Sequence, residues 1–175
     1  HPEVQKRMRA EISELCGSSR LLLSHRPLLP FTRAVIAEVQ RLANVLPWNI
    51  PHCTTSTCFA GDFALSAGVD VMPHLGAAHH DPADFSQPEE FRPERMLNEL
   101  GEFAPPSAFS PFGLGRRQCL GENLAKMELF LIFCTLVQHY NFRFAPGGPL
   151  PSLQRRMGMA SVPKDFVCEI TKIDI

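Results

Sequence analysis

A mainly α fold with small β-sheets, of the α+β class, is what this 175-residue sequence predicts. Three observations point to it. Apolar residues recur at helical spacing in three stretches, at about 2–16, 31–43 and 120–139. Short runs of β-branched and aromatic residues, punctuated by glycine turns, fill 49–72 and the tail. Prolines crowd 81–111 and forbid regular helix there, so a long ordered loop separates the second and third helices.

The first helix, 2–16, begins at Pro2, a residue suited to a first helical turn. Val4, Met8, Ile12 and Leu15 form its apolar stripe, and Glu3 and Arg7 are spaced to pair at i, i+4. Gly17-Ser18-Ser19 stops it, and 20–30 reads as a loop closed by Pro27 and Pro30. The second helix, 31–43, places Phe31, Val35, Ile36, Val39 and Leu42 on one side, and Pro47 ends the element. Thr54, Thr55, Thr57 and Phe59 favour extended structure, with turns at Gly61-Asp62 and Ala67-Gly68 before Val69-Asp70-Val71. The third helix, 120–139, is apolar around most of its circumference, from Leu124 to Val137, and is expected to be buried on nearly all sides except where Glu122 and Lys126 pair. The tail, 140–175, reads as hairpins built on Phe142-Arg143-Phe144, Gly147-Gly148 and Phe166 to Ile170.

Composition sets bounds on function. Seventeen basic and 18 acidic residues give a net charge of -1, which argues against nucleic acid as a partner. No apolar run reaches the roughly 18 residues needed to span a bilayer. The six cysteines form no CxxC pair and no regular framework, so five read as reduced and structural, in a reducing compartment. The sixth, Cys119, is set apart by its surroundings.

Cys119 lies in Phe112-Gly113-Leu114-Gly115-Arg116-Arg117-Gln118-Cys119-Leu120-Gly121, immediately before the third helix. Gly113, Gly115 and Gly121 allow unusual backbone angles and close approach to a flat ligand. Phe112 can shield sulfur from water, and Arg117 can neutralise a carboxylate. Amides near Gly121, at the positive end of the helix, are expected to bond a thiolate and lower its basicity. A soft thiolate with these supports suits iron in haem.

Two further clusters stand upstream. Glu38-Val39-Gln40-Arg41 puts Glu38 and Arg41 on one helix face at i, i+3, which by itself describes any solvated pair. Pro51-His52-Cys53-Thr54-Thr55 places a histidine in a strand; with Cys53 and Cys58 nearby it raises zinc, but the spacing matches no standard zinc module.

Phe112, Gly115, Arg117, Cys119 and Gly121 fill every fixed place of the signature FxxGxRxCxG, and Ala125 falls where that pattern often extends. On these residues the chain resembles the cytochrome P450 family. Lys126 to Leu131 and Ala160-Ser161-Val162-Pro163 look like its microsomal, family 2-like branch. The resemblance covers nearly the whole sequence and implies the C-terminal part of that fold, with a meander loop before the haem-ligand loop.

By that resemblance Cys119 is the proximal iron ligand of haem b (iron protoporphyrin IX) and donates electron density that helps cleave O–O. Phe112, Gly113, Gly115, Gly121 and Ala125 line the cofactor, and His52 and Arg117 hold its two propionates. Glu38 and Arg41 form a structural network completed by Arg95, within Phe91-Arg92-Pro93-Glu94-Arg95-Met96; Met96 stands where an aromatic is usual. Val45, Leu46, Trp48 and Ile50, with Met157, Gly158 and Met159, correspond to two stretches that line the family's substrate pocket. The implied activity is a monooxygenase inserting one oxygen atom from O2 into a lipophilic substrate. NADPH-cytochrome P450 reductase would deliver the electrons at the proximal face, with Arg116 a plausible docking charge. The implied location is the cytoplasmic face of the endoplasmic reticulum membrane.

Residues 1–175 are expected to form part of one such domain, starting inside a helix. The distal oxygen-activating helix and the membrane anchor would then lie before His1, and no catalytic residue of the distal side is expected within the chain. Two alternatives accompany this reading: an inactive fragment or isoform without stable haem, and a family member catalysing isomerisation without a reductase.

Overall fold

The computed structural model describes residues 1–173, so the last two positions of the expected tail strands lie outside the described residues. Its elements are helices α1 (Pro2–Cys16), α2 (Pro30–Ala43), α3 (Leu75–His79) and α4 (Glu122–His139) and strands β1 (His52–Cys53), β2 (Cys58–Ala60), β3 (Phe63–Leu65), β4 (Asp70–Val71), β5 (Tyr140–Phe144), β6 (Arg155–Arg156), β7 (Val162–Pro163) and β8 (Cys168–Lys172). The strands form four antiparallel pairs: β1 with β4, β2 with β3, β5 with β8, and β6 with β7. The expected α+β class is what is observed.

The core lies where α1, α2 and α4 meet. Ile12, Leu21, Leu29, Phe130 and Cys134 pack in one cluster, and Met8, Phe31, Val35 and Val137 in a second. A third joins Ala34 and Ala37 of α2 to Phe85 and Met96 of the proline-rich segment. Each large apolar side chain removed from water here contributes roughly 1.5–3 kcal/mol. Met96 is fully buried, so the residue that departs from the family's usual aromatic still serves as core.

Side-chain bonds to backbone tie α1 to the rest. The Glu11 carboxylate receives the N–H groups of Phe31 (2.8 Å) and Thr32 (2.7 Å) at the start of α2. Pro30 has no N–H, and Arg33 N–H already reaches the Leu29 carbonyl, so Glu11 satisfies the two donors left over at that helix end. Gln5 exchanges two bonds with the backbone of Phe142, and Arg9 donates to the carbonyls of Val137 and Tyr140.

Several local expectations are corrected. Glu3 does not pair with Arg7: Arg7 reaches Glu94 at 2.9 Å and lies over the Phe31 ring, because a long-range carboxylate and an aromatic face outcompete a local pair. The 20–30 loop contains a 3-10 helix, Leu23–Leu28, which accommodates Pro27. The buried face of α2 is centred on Ala34, Glu38 and Arg41, so Val39 turns outward. Asn44, in the left-handed region at φ 32°, ends α2 three residues ahead of Pro47. α3 carries no extended apolar pattern and was not anticipated. β5 pairs with β8 across a long insertion holding β6 and β7, not across Gly147-Gly148. Cys53 and Cys58 are exposed rather than structural, while Cys134 is buried and desolvation, with Glu11 adding, pushes its thiol up to about 12.

The largest correction concerns α4. Phe130, Cys134, Val137 and Gln138 are buried, but Leu124, Met127, Leu129, Ile132 and Leu136 are exposed. The helix is apolar all round, yet among the described residues only one side of it is covered.

Candidate functional site

The loop before α4 is shaped by its own backbone. Cys119 N–H donates to the Phe112 carbonyl at 2.9 Å and closes the loop, while Gly113 N–H reaches Ser110 and Gln118 N–H reaches Gly115. Gly113 (φ 78°) and Gly115 (φ 72°) occupy the left-handed region, where a side chain would be strained. Gly121 sits at φ -86°, an ordinary angle, so conformational freedom does not explain it. A Cβ there would lie 3.9 Å from Cys119 Sγ, an ordinary contact, so the protein's own packing does not demand glycine at this position either.

Cys119 is exposed, as are Arg116, Arg117, Leu114 and Leu120. Among the described residues no backbone N–H donates to Cys119 Sγ. The Glu122 amide, expected near the sulfur, goes to the Cys119 carbonyl (3.3 Å), and the Ala125 amide to the Gly121 carbonyl (2.9 Å). Helix initiation claims those donors first. Phe112 is half-buried, with Lys126 Nζ 5.8 Å from its ring centre, and Lys126 also pairs with Glu122.

His52 stands on β1 opposite Val71, and its Nδ1 is buried without a protein partner. The segment leading to it touches the cysteine loop: Asn49 Nδ2 lies 3.4 Å from where a Gly113 Cβ would be. Among the described residues no three His, Cys, Asp or Glu side chains converge on a metal position, so His52, Cys53 and Cys58 make no zinc set.

The charge network is assembled and dry. Glu38 accepts from Arg41 Nε (2.8 Å) and Nη2 (2.9 Å), from Arg95 Nε (3.0 Å) and from the backbone N–H of Arg92 (3.0 Å). The side chains of Glu38 and Arg41 are 0% exposed and that of Arg95 5%. The two guanidiniums then reach the carbonyls of Ser86, Gln87 and Glu90, which pins the proline-rich segment to α2.

His79 was not anticipated from sequence. Its carbonyl accepts from Arg41 Nη1 at 2.7 Å, and its Nε2 accepts the Ser110 N–H at 3.0 Å. It is fully buried and stacks on Phe109. Desolvation first, then Arg41 and His80, holds its pKa down at about 4, so the ring is a neutral acceptor. One residue, through its carbonyl and its ring, thus links the charge network to the residue two places before Phe112.

The two expected lining stretches come together. Ser161 N–H donates to the Val45 carbonyl at 2.7 Å, and Arg155 clamps the carbonyls of Leu42 and Ala43 at the end of α2. Val45, Leu46, Ile50, Met157 and Met159 are exposed, Gly158 lies between the two methionines, and Trp48 stacks on His74 with ring centres 3.8 Å apart.

Comparison with known proteins settles the family. The cytochrome P450 family model matches residues 1–170. The chain belongs to the cytochrome P450 family. A 3-ketosteroid oxygenase from Caenorhabditis elegans is 41% identical over 171 residues, covering 97% of this chain and 30% of that protein. Cytochrome P450 2U1 from Bos taurus is 38% identical over 173 residues, covering 98% of this chain and 32% of the relative. A solved zebra fish cytochrome P450 with abiraterone superposes with a TM-score of 0.91 at 39% identity, covering 99% of this chain and 41% of that one. The chain thus spans about a third of the length of the curated relatives it matches.

Membership of the cytochrome P450 family implies haem, and the residues present fit it. Among the described residues Cys119 Sγ makes no hydrogen bond, His52 Nδ1 is a buried polar atom without a partner, and the exposed Arg117 forms no ion pair. Leu114 and Leu120 add exposed apolar side chains to the same loop. No helix among the described residues is long and apolar enough to cross a membrane.

Proposed function

We propose that this chain supplies the proximal side of a haem-thiolate monooxygenase site and is the C-terminal portion of that enzyme's single P450 domain, with Cys119 as iron ligand. The observation that carries the reading is the closed Phe112–Cys119 loop, which presents an exposed cysteine ahead of α4 in a chain of this family. Haem b, when bound, supplies activation of O2 and transfer of one oxygen atom to a lipophilic substrate. The Cys119 sulfur acts as thiolate, with Phe112 and Leu120 excluding water from it and Gly113, Gly115, Gly121 and Ala125 leaving room for a flat ligand. Arg117 and His52 orient the cofactor through its carboxylates. Glu38, Arg41 and Arg95 act at a distance, holding the proline-rich segment and hence the loop in register. Val45, Leu46, Ile50 and Met157 to Met159 contribute an apolar wall for substrate. Electrons from NADPH arrive through cytochrome P450 reductase at the loop face, where Arg116 projects, and the enzyme works at the endoplasmic reticulum membrane.

A second reading concerns the chain in isolation. The exposed α4 face, Leu124 to Leu136, and the one-third coverage of relatives favour a piece that does not retain haem alone. The reduced, CO-bound absorption spectrum tests both. The full-length protein is expected to show the red-shifted thiolate band and to lose it on Cys119→Ser, while the isolated chain shows little or none. A histidine-type band in the full-length protein, or no change on Cys119→Ser, rejects the ligand assignment.

A further inference from the structure

A cavity of about 240 Å³ opens between α2, the 3-10 helix Leu23–Leu28, the cysteine loop and α4. Phe112 and Gly113 of the cysteine loop form one wall, but the polar side chains facing them have none of the roles above. Arg33 and Gln40 reach it from α2, Arg26 from the 3-10 helix, and Gln118 from the loop. Among the described residues none of these four side chains makes a hydrogen bond or ion pair with protein, and Arg33 Nε is buried with no partner. Glu122 also lines the cavity, but Lys126 binds its carboxylate and cancels its charge.

Donors without acceptors are the unusual feature. Buried donors almost always find a partner, and leaving one unpaired costs on the order of 1–3 kcal/mol. Here two guanidiniums face one space, and Arg33 has a lowered pKa, first because burial desolvates it and then because Arg26 repels it. Stacking of Arg33 on Phe103, 4.1 Å from the ring centre, holds the guanidinium in place without satisfying its N–H groups. Both effects would be relieved by one anion. The donors come from three segments, α2, the 3-10 helix and the cysteine loop, and an oxyanion with several acceptor oxygens can serve donors from more than one of them. The volume far exceeds the roughly 30 Å³ share of one water, so a phosphoryl group with substituents attached can enter.

We infer that this cavity is a phosphate-binding site, with Arg33 and Arg26 as the charged contacts and Gln40 and Gln118 as neutral donors. Phe112, Gly113 and Gln118 form part of its wall, so the bound oxyanion lies against the loop that carries Cys119. The inference does not rest on haem. The shared chemistry is the phosphoryl group, which reaches the site as free phosphate or as a phosphomonoester.

The test is titration of the full-length protein with inorganic phosphate, and separately with O-phosphoserine, at constant ionic strength. Binding is read by calorimetry and by the nitrogen-15 resonance of Arg33 Nε, whose burial slows its exchange. Saturable binding is expected, weakened about tenfold or more by Arg33→Gln and by Arg26→Gln and unchanged by Arg20→Gln, an exposed arginine outside the cavity. Binding of phosphate alone assigns the free ion as ligand; binding of both assigns a phosphoryl group carried by a larger molecule. Absence of saturation in both arms, or equal binding by wild type and both cavity variants, overturns the inference. Because Gln is smaller in charge but similar in reach, circular dichroism of each variant separates lost binding from lost fold.

Discussion

Replacing Glu38 by alanine removes the acceptor at the centre of a buried charge network. Four N–H groups converge on this carboxylate, from Arg41 twice, Arg95 and the Arg92 backbone, at 2.8 to 3.0 Å. The substitution would leave the Arg41 guanidinium, 0% exposed, charged and without a counterion. Removing one partner of a buried pair costs roughly 3–5 kcal/mol, because the remaining charge stays desolvated. Urea slopes for domains of moderate size are about 2 kcal/mol/M, so the midpoint of unfolding should fall by about 1.5–2.5 M. Far-UV circular dichroism in a urea series measures this. Hydrogen exchange adds a local readout, since the Arg92 amide donates directly to Glu38 and should lose protection ahead of amides in α4. Glu38→Gln, which keeps one oxygen acceptor and the shape, should lie between wild type and alanine. A midpoint shift under about 0.5 M for Glu38→Ala, with the Arg92 amide still protected, would show that the carboxylate is dispensable and that apolar packing alone positions the proline-rich segment.

Acid should expose the role of His79. Its folded pKa of about 4 lies below the ordinary value near 6.5, so the unfolded chain takes up a proton first as the pH drops. Stability is therefore complete above about pH 6.5 and declines between there and about pH 4, by at most about 3 kcal/mol. Urea midpoints at pH 7.5 and 5 should differ less in His79→Gln than in wild type; an identical pH slope in both would refute the assignment. Glu11→Ala should cost about 1–2 kcal/mol by uncapping Phe31 and Thr32, lowering the melting temperature by about 3–6 °C. A melting temperature unchanged within error would mean that water replaces the carboxylate at no cost.

How much could be read in advance differed by scale. Helices α1 and α2 were legible because each keeps an apolar rhythm over fourteen or more residues, and α4 because its apolar run is too long for a strand. α3 did not, since five residues such as Leu75 to His79 are too few to show a period. Spacing alone cannot tell which side of an all-apolar helix is covered, and so the exposure of Leu124 and Ile132 went unforeseen. In the candidate site, Glu38, Arg41 and Arg95 were picked out through a family pattern, and the fold brings all three within hydrogen-bond distance. Arg92 and His79 were missed because they contribute through a backbone N–H and a buried acceptor nitrogen, features that residue identity does not mark. The unpaired donors Arg26 and Arg33 were likewise invisible, because a lack of partners exists only in three dimensions.

The ties that anchor α1 have a bearing on biosynthesis. Gln5 and Arg9 bond to residues 128 to 137 positions later, and Gln138 reaches back to Gly17 and Ser19 across 121 and 119 positions. At translation speeds of roughly 5–20 residues per second, α1 leaves the ribosome on the order of 6–25 seconds before its partners do. During that interval Met8 and Ile12, which end at 1% and 0% exposure, have no α4 to cover them. The nascent chain therefore depends on late closure by α4 and β5, and a ribosome stalled near residue 120 would leave α1 without those two partners.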